Sequence, residues 1–190
     1  TIPRGVNELF SLAEKAGDGL DTHQATIGIM HNTEALMRAD LATARTANNL
    51  YQTAKADRSA ATDNQSAADA NAVKFISSAR DALKPRLGTR WSPAWNAAGF
   101  INPSLAVPGT LAERMELLKS LELYFTAHPA HEVASLSITA AQAATLHDAF
   151  STGVSGSNAA RSDQAAKRGA RDTAIEALQK RLRCLIGELE

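Results

Sequence analysis

The chain has 190 residues, a fifth of them alanine and only 5% aromatic, and its 20 basic residues balance its 20 acidic ones. A net charge of zero gives no broad basic surface, so nucleic acid is not an expected partner. No apolar run approaches the roughly 18 residues that a membrane span needs. The single cysteine excludes an internal disulfide framework and a cysteine-based zinc cluster, and it assigns no cellular compartment.

The first predicted elements are helical. Asp21–Gln24 has the spacing of a capping box, in which Glu or Gln follows a side-chain acceptor by three residues, and it predicts a helix start. No glycine or proline lies between Gly28 and Pro85. This stretch predicts either one helix of about 55 residues, roughly 80 Å long, or two helices that fold back near residues 61–65. Since no helix breaker lies at that point, the continuous helix is favoured.

The middle of this stretch lacks large apolar residues but has a regular alanine pattern. Alanine recurs every seven residues at positions 47, 54, 61 and 68, and Phe75 and Ala82 continue the series. A seven-residue period places these side chains on one stripe of a helix. The stripe predicts close approach of a second helix, although an alanine-rich chain also produces such series by chance.

The second half of the chain carries further helix signals. Ser92–Pro93 has the pattern of an N-cap followed by proline at the first helical position. Thr110–Glu113 and Thr139–Gln142 are capping boxes, and the glycines of Gly153–Gly156 predict a bend or a hairpin apex. No segment alternates apolar and polar residues with the period of a strand. The sequence therefore predicts an all-α fold.

An internal repeat relates the two halves of the chain. A shift of 99 residues places Phe150 on Tyr51, Gln164 on Gln65 and Leu182 on Leu83. We therefore predict a helical unit over residues 1–88, a Trp- and Pro-containing junction over 89–109, and a second helical unit over 110–190. The expected architecture is an elongated antiparallel helical bundle of two tandem related units with long Ala-rich helices, packed as one domain.

The junction resembles a known sequence pattern. Arg90–Phe100, followed by Pro103 and Pro108–Thr110, resembles a junction found in uncharacterised bacterial proteins with Ala-rich helical N-terminal regions, as does the pattern ending at Arg181–Leu189. In several of those proteins the junction leads into a fibronectin type III-like β-sandwich, whereas here a second helical unit follows it. The resemblance implies a helical repeat and no particular activity.

The chain offers few residues for catalysis or metal binding. His128 and His131 are the only candidate metal ligands, and because Pro129 lies between them, solvated loop histidines are the favoured interpretation. No zinc-binding His-Glu-x-x-His helix, nucleophile elbow or phosphate loop occurs. The sequence therefore predicts no enzyme activity and no cofactor.

One segment near the end of the chain is distinctly basic. It holds seven basic residues against three acidic ones: Arg161, Lys167, Arg168, Arg171, Lys180, Arg181 and Arg183. A basic helix can bind nucleic acid or an anionic lipid surface. No aromatic residue is interleaved for base stacking, so a solvated face, or one paired with Glu113, Glu116 and Glu122, is favoured.

These observations predict a non-enzymatic structural or protein-interaction helical module. A protein partner or self-association is the expected mode of action. The alternative is a binding module that uses the basic residues 161–183 for an anionic partner.

Overall fold

A computed structural model describes residues 2–101 and 103–190. The chain is 82% helical and has no strands in the described part, which confirms the all-α prediction. Four α-helices contribute almost all of the ordered structure: α1 (Val6–Ile27), α2 (Glu34–Leu87), α3 (Leu111–Ala127) and α4 (Ala140–Leu189). Short 3-10 helices occupy Pro93–Ala98, Pro129–His131 and Ala134–Leu136.

Helix α2 is a single helix of 54 residues, and the alternative of a hairpin near residues 61–65 does not occur. The seven-residue alanine stripe lies on its inner side. Ala54 and Phe75 are buried, and the other four positions of the series are partly buried, while most of their neighbours are exposed. The small side chains of the stripe leave room for another helix on this side of α2.

Helix α4 is also continuous, over 50 residues, so the hairpin apex that was one of the two alternatives at Gly153–Gly156 does not occur. A Cβ atom on Gly153 would lie 3.2 Å from the Cα atom of Gln65 in α2. Glycine at this position therefore serves close packing of two helix backbones and does not break the helix.

The capping boxes have different outcomes. At Thr110 the box is complete: the Glu113 amide donates to Thr110 Oγ1 at 3.3 Å, and the Glu113 side chain accepts from the Thr110 amide. At Thr139 the Gln142 amide donates to Thr139 Oγ1 at 3.1 Å, and the neighbouring Ala140 amide donates to Glu132 Oε1 at 2.7 Å.

The helix start predicted at Asp21–Gln24 is wrong, because these residues lie inside α1. The Gln24 side chain accepts a hydrogen bond from the Glu34 amide at 3.0 Å, so it caps the start of the following helix, α2. The Ser92–Pro93 signal marks a 3-10 helix of six residues, Pro93–Ala98, which ends at Gly99 with a left-handed backbone.

The chain divides into two compact units. The first unit combines the chain up to Arg58 with Ala160–Glu190, and the second unit is Ser59–Ala159. Each unit contains one shorter helix and a section of both long helices. These boundaries differ from those of the sequence units predicted at 1–88 and 110–190. The sequence units were defined by similarity along the chain, and they stay a prediction.

The core of the first unit is built by three helices. Helix α1 contributes side chains on its inner face, and α2 and α4 meet them with residues spaced three or four apart. The buried members are Leu9, Phe10, Ala13, Leu20, Ile29, Met37, Leu41, Ala44, Leu178, Leu182 and Leu185. Beside this core, Arg181 Nε donates to Asp40 Oδ2 at 2.8 Å and joins α4 to α2.

The core of the second unit is larger and more aromatic. It contains Trp95, Phe100, Phe125 and Phe150 together with the inner faces of α2, α3 and α4. Arg114 is buried beside it and binds Asp69 through two hydrogen bonds of 2.6 and 2.9 Å, while its third contact is the Pro108 carbonyl oxygen at 2.7 Å. This bidentate pair joins α3 to α2 and to the junction.

Candidate functional site

An apolar groove of about 350 Å³ lies in the first unit between α1 and the end of α4. The α1 wall presents residues spaced by three or four along one side of the helix: Leu12, Ala16, Gly19, Leu20, His23 and Ile27. Gly19 has no atom within 4 Å of where its Cβ would stand. The small residues at positions 16 and 19 therefore keep this wall low enough for a helix backbone to approach.

The α4 wall of the groove carries large apolar side chains at helical spacing: Leu182, Leu185, Ile186 and Leu189. Leu182 and Leu185 belong to the core, whereas Ile186 and Leu189 are 45% and 56% exposed, and Ile27 opposite them is 52% exposed. Several adjacent exposed apolar residues around one groove are typical of a protein-interaction surface.

Next to the groove, Glu188 closes the loop between α1 and α2. Its carboxylate accepts backbone hydrogen bonds from Met30, His31 and Asn32 at 2.8, 3.0 and 3.1 Å, and a fourth from the Asn32 side chain. These bonds, led by the His31 and Met30 amides, lower the pKa of Glu188 from 4.5 to about 2. Glu188 thus holds the end of α4 against the loop as an anion.

We expect Glu188→Gln to lower the melting temperature near neutral pH, because a neutral amide is a weaker acceptor for four donors. The folded-state pKa lies below the unfolded one, so this stabilisation is complete above pH 4.5 and is lost as the pH falls toward 2. Thermal melts of both proteins across this range should therefore converge at the acidic end. Glu190→Gln, at an exposed carboxylate two residues away, is the control and should follow the wild type throughout.

The structure distributes the seven basic residues of 161–183 around α4 and does not place them on one face. Arg171 donates to Asp172 and lies 4.2 Å from the Tyr51 ring centroid, and Arg181 pairs with Asp40. Arg183 contacts the Gln179 side chain, Lys167 is partly buried and Lys180 is exposed.

The basic residues of 161–183 left two interpretations open in the sequence, a solvated face or a face paired with Glu113, Glu116 and Glu122. Their carboxylate partners in the described part of the chain are Asp40 and Asp172. Glu113 is used by the capping box of its own helix, and Glu122 pairs with Lys119 at 2.8 Å.

Arg161 and Arg168 remain together in a cleft of about 660 Å³ in the first unit. The α2 side of the cleft contributes Tyr51 and Arg58, and α4 contributes Gln164 and Asp172 as well. Arg58 Nη1 donates to Gln164 Oε1 at 2.7 Å. Sequence reasoning identified the two α4 arginines but not Arg58, because it lies more than a hundred positions earlier in the chain.

The two candidate metal ligands lie side by side in the second unit. The rings of His128 and His131 stack with centroids 5.2 Å apart, and His131 Nδ1 is hydrogen-bonded to the Tyr124 hydroxyl at 2.8 Å. Burial raises the pKa of Tyr124, while burial, Arg86 and His128 lower the pKa of His131. Both shifts favour the uncharged forms of Tyr124 and His131. In residues 2–101 and 103–190, no three His, Cys, Asp or Glu side chains are placed to share a metal ion.

Searches of protein families, curated proteins and solved structures returned no match to this chain. Within the described residues, none of the helices combines the length and the apolar character of a membrane span. The chain's own surfaces are therefore the guide to its function, and the apolar groove and the cleft around Arg161 and Arg168 are two distinctive ones.

Proposed function

We propose that this chain is a non-enzymatic helical module that acts by protein–protein association through the apolar groove. The observation that carries the proposal is the pair of apolar walls, one on α1 and one on α4, with Ile27, Ile186 and Leu189 exposed along them. A groove between two helices with apolar residues at helical spacing is the site at which a further helix packs in a bundle.

A second copy of the chain is the occupant that this surface favours. The exposed apolar side chains and the groove lie on the same surface, so each copy offers both projections and a recess. An isologous dimer requires such a self-complementary patch. Burying one Leu or Ile side chain fully contributes about 1.5–3 kcal/mol, so each half-exposed residue of this patch contributes roughly half of that on association.

The arrangement of the long helices supports a scaffold role. In the first unit the α4 partner number falls as the α2 number rises: Asp40 pairs with Arg181, Tyr51 with Arg171, and Arg58 with Gln164. We infer that α2 and α4 run antiparallel there. Helix α2 presents a long inner face of small residues, which suits a stable framework that displays binding surfaces.

The proposed repeat fits the same scheme. Two pairs of positions related by the shift of 99 match in burial, since Leu83 and Leu182 are buried and Gln65 and Gln164 are partly buried, whereas Phe150 is buried and Tyr51 only partly so. We propose two related units, each a shorter helix followed by a long one. In this proposal each long helix contributes to both compact units, because the shift of 99 relates the α2 section of one compact unit to the α4 section of the other.

Sedimentation equilibrium over a wide range of protein concentrations tests the association. We expect the wild type to dimerise and Ile186→Glu to weaken the dimer at least tenfold, because a buried unpaired carboxylate costs more than 1.4 kcal/mol. The matched control is Leu123→Glu, since Leu123 is a 60% exposed leucine of α3 outside the groove. A monomeric wild type at every concentration, or equal weakening by both variants, would contradict the proposal.

A further inference from the structure

The cleft between α2 and α4 in the first unit concentrates positive charge in a chain whose net charge is zero. Three arginines line it, Arg58, Arg161 and Arg168, together with one acidic residue, Asp172. The balance of charge in the cleft therefore depends on how far Asp172 neutralises the arginines.

Asp172 is already bound by an arginine that does not line the cleft. Arg171 Nε and Nη2 donate to Asp172 Oδ1 at 2.9 and 2.5 Å, whereas Arg168 Nε lies 3.7 Å from Asp172 Oδ2. No carboxylate in the described part of the chain lies within ion-pair distance of Arg161. Arg161 and Arg168 consequently retain most of their positive charge.

The surrounding side chains and the helix geometry favour a defined arrangement of the arginine side chains in the cleft. Gln164 accepts a hydrogen bond from Arg58 across the cleft and so links the α2 wall to the α4 wall. Arg161 and Arg168 are seven residues apart on α4, which places them two helical turns, about 10 Å, from each other. Guanidinium groups spaced in this way can donate paired hydrogen bonds to more than one oxyanion group at once.

We propose that this cleft binds a compact phosphate-type oxyanion that carries two or three phosphate groups. The Tyr51 ring is covered by Arg171, so the one aromatic residue that lines the cleft is occupied by a cation. This favours recognition of phosphate groups over stacking on a base. The neutral net charge favours a small ligand over a long polyanion, because binding along a nucleic acid or a lipid surface uses a field that extends over the protein.

Calorimetric titration with tripolyphosphate at low salt tests the proposal. We expect Arg161→Gln/Arg168→Gln to weaken binding at least tenfold, because each variant residue loses charge-assisted hydrogen bonds to the ligand. Both arginines are exposed, and glutamine keeps a high helix propensity, so the melting temperature should stay within a few degrees of the wild type. The matched control is Lys180→Gln, an exposed cation of the same helix outside this cleft.

Further titrations identify the source of the phosphate groups and include the results that would overturn the proposal. Equal affinity for tripolyphosphate and ATP indicates recognition of phosphates alone, and tighter binding of ATP indicates a nucleotide source. An absence of tripolyphosphate binding at low salt, or equal weakening by Lys180→Gln, would overturn the proposal. So would binding of duplex DNA or anionic vesicles that depends on Arg161 and Arg168 when tripolyphosphate does not bind.

Discussion

Gly99→Ala is expected to lower the free energy of unfolding by about 3 kcal/mol. Gly99 has a φ of 92°, in the left-handed region that side chains with a Cβ rarely adopt, which costs about 1–2 kcal/mol. A Cβ atom there would also lie 2.4 Å from Ser120 Cβ and 3.0 Å from Leu117 Cδ1, both in α3. Relieving such overlap costs about 1–3 kcal/mol more. Chemical denaturation followed by circular dichroism measures the change.

Gly109→Ala is the control for this prediction because it lies in the same junction. Its Cβ would have no atom within 4 Å, and its φ is outside the left-handed region. We expect it to leave the stability unchanged or to raise it by up to about 1 kcal/mol, through a lower entropy of the unfolded chain. Equal losses in both variants would show that the junction is not packed against α3 at Gly99.

Gly153→Leu is expected to destabilise the protein by about 2 kcal/mol. The new Cβ would lie 3.2 Å from Gln65 Cα, a backbone atom that cannot rotate away. Overpacking of this kind costs about 1–3 kcal/mol or more. Replacing a helical glycine by leucine stabilises the helix by up to about 1 kcal/mol, because leucine has the higher helix propensity. The measurement is again the free energy of unfolding in denaturant.

The matched variant Gly156→Leu lies less than one turn further along α4. No atom lies within 4 Å of its Cβ position, so only the gain in helix propensity applies. We expect a stability equal to the wild type or slightly higher. If Gly153→Leu were as stable as Gly156→Leu, the close approach of α4 to α2 at Gln65 would be refuted.

Much of the helical framework could be predicted from sequence because the signals for it are local. The Thr110 capping box, the continuous helix over residues 34–87 and the inward alanine stripe depend on residues within a few turns of one another. The predictions that the structure corrects concern residues whose role depends on a distant partner. Gln24 caps a neighbouring helix and not its own, and Gly153 contacts Gln65 across two helices.

The candidate sites were harder to predict for the same reason. The two α4 arginines of the cleft stand out as charge in the sequence, but Arg58 joins them only when α2 packs against α4. The groove had a weak signal in the helical spacing of Leu12, Ala16, His23 and Ile27. Leu12 and Ala16 lie beside the core residues of α1, and His23 and Ile27 continue the same side past Leu20. Glu188 gave no signal, since its four donors lie more than 150 residues away.

The composition by itself determined an all-α protein, because a chain rich in alanine and poor in aromatic residues forms long helices through local propensity. The sequence alone also located the small-residue faces of those helices. Only the tertiary structure decided which helices share a core, how the basic residues of 161–183 are divided and where the apolar groove lies. The physical reason is that propensity and capping act over a few residues, whereas a groove or a cleft exists only between elements that the fold brings together.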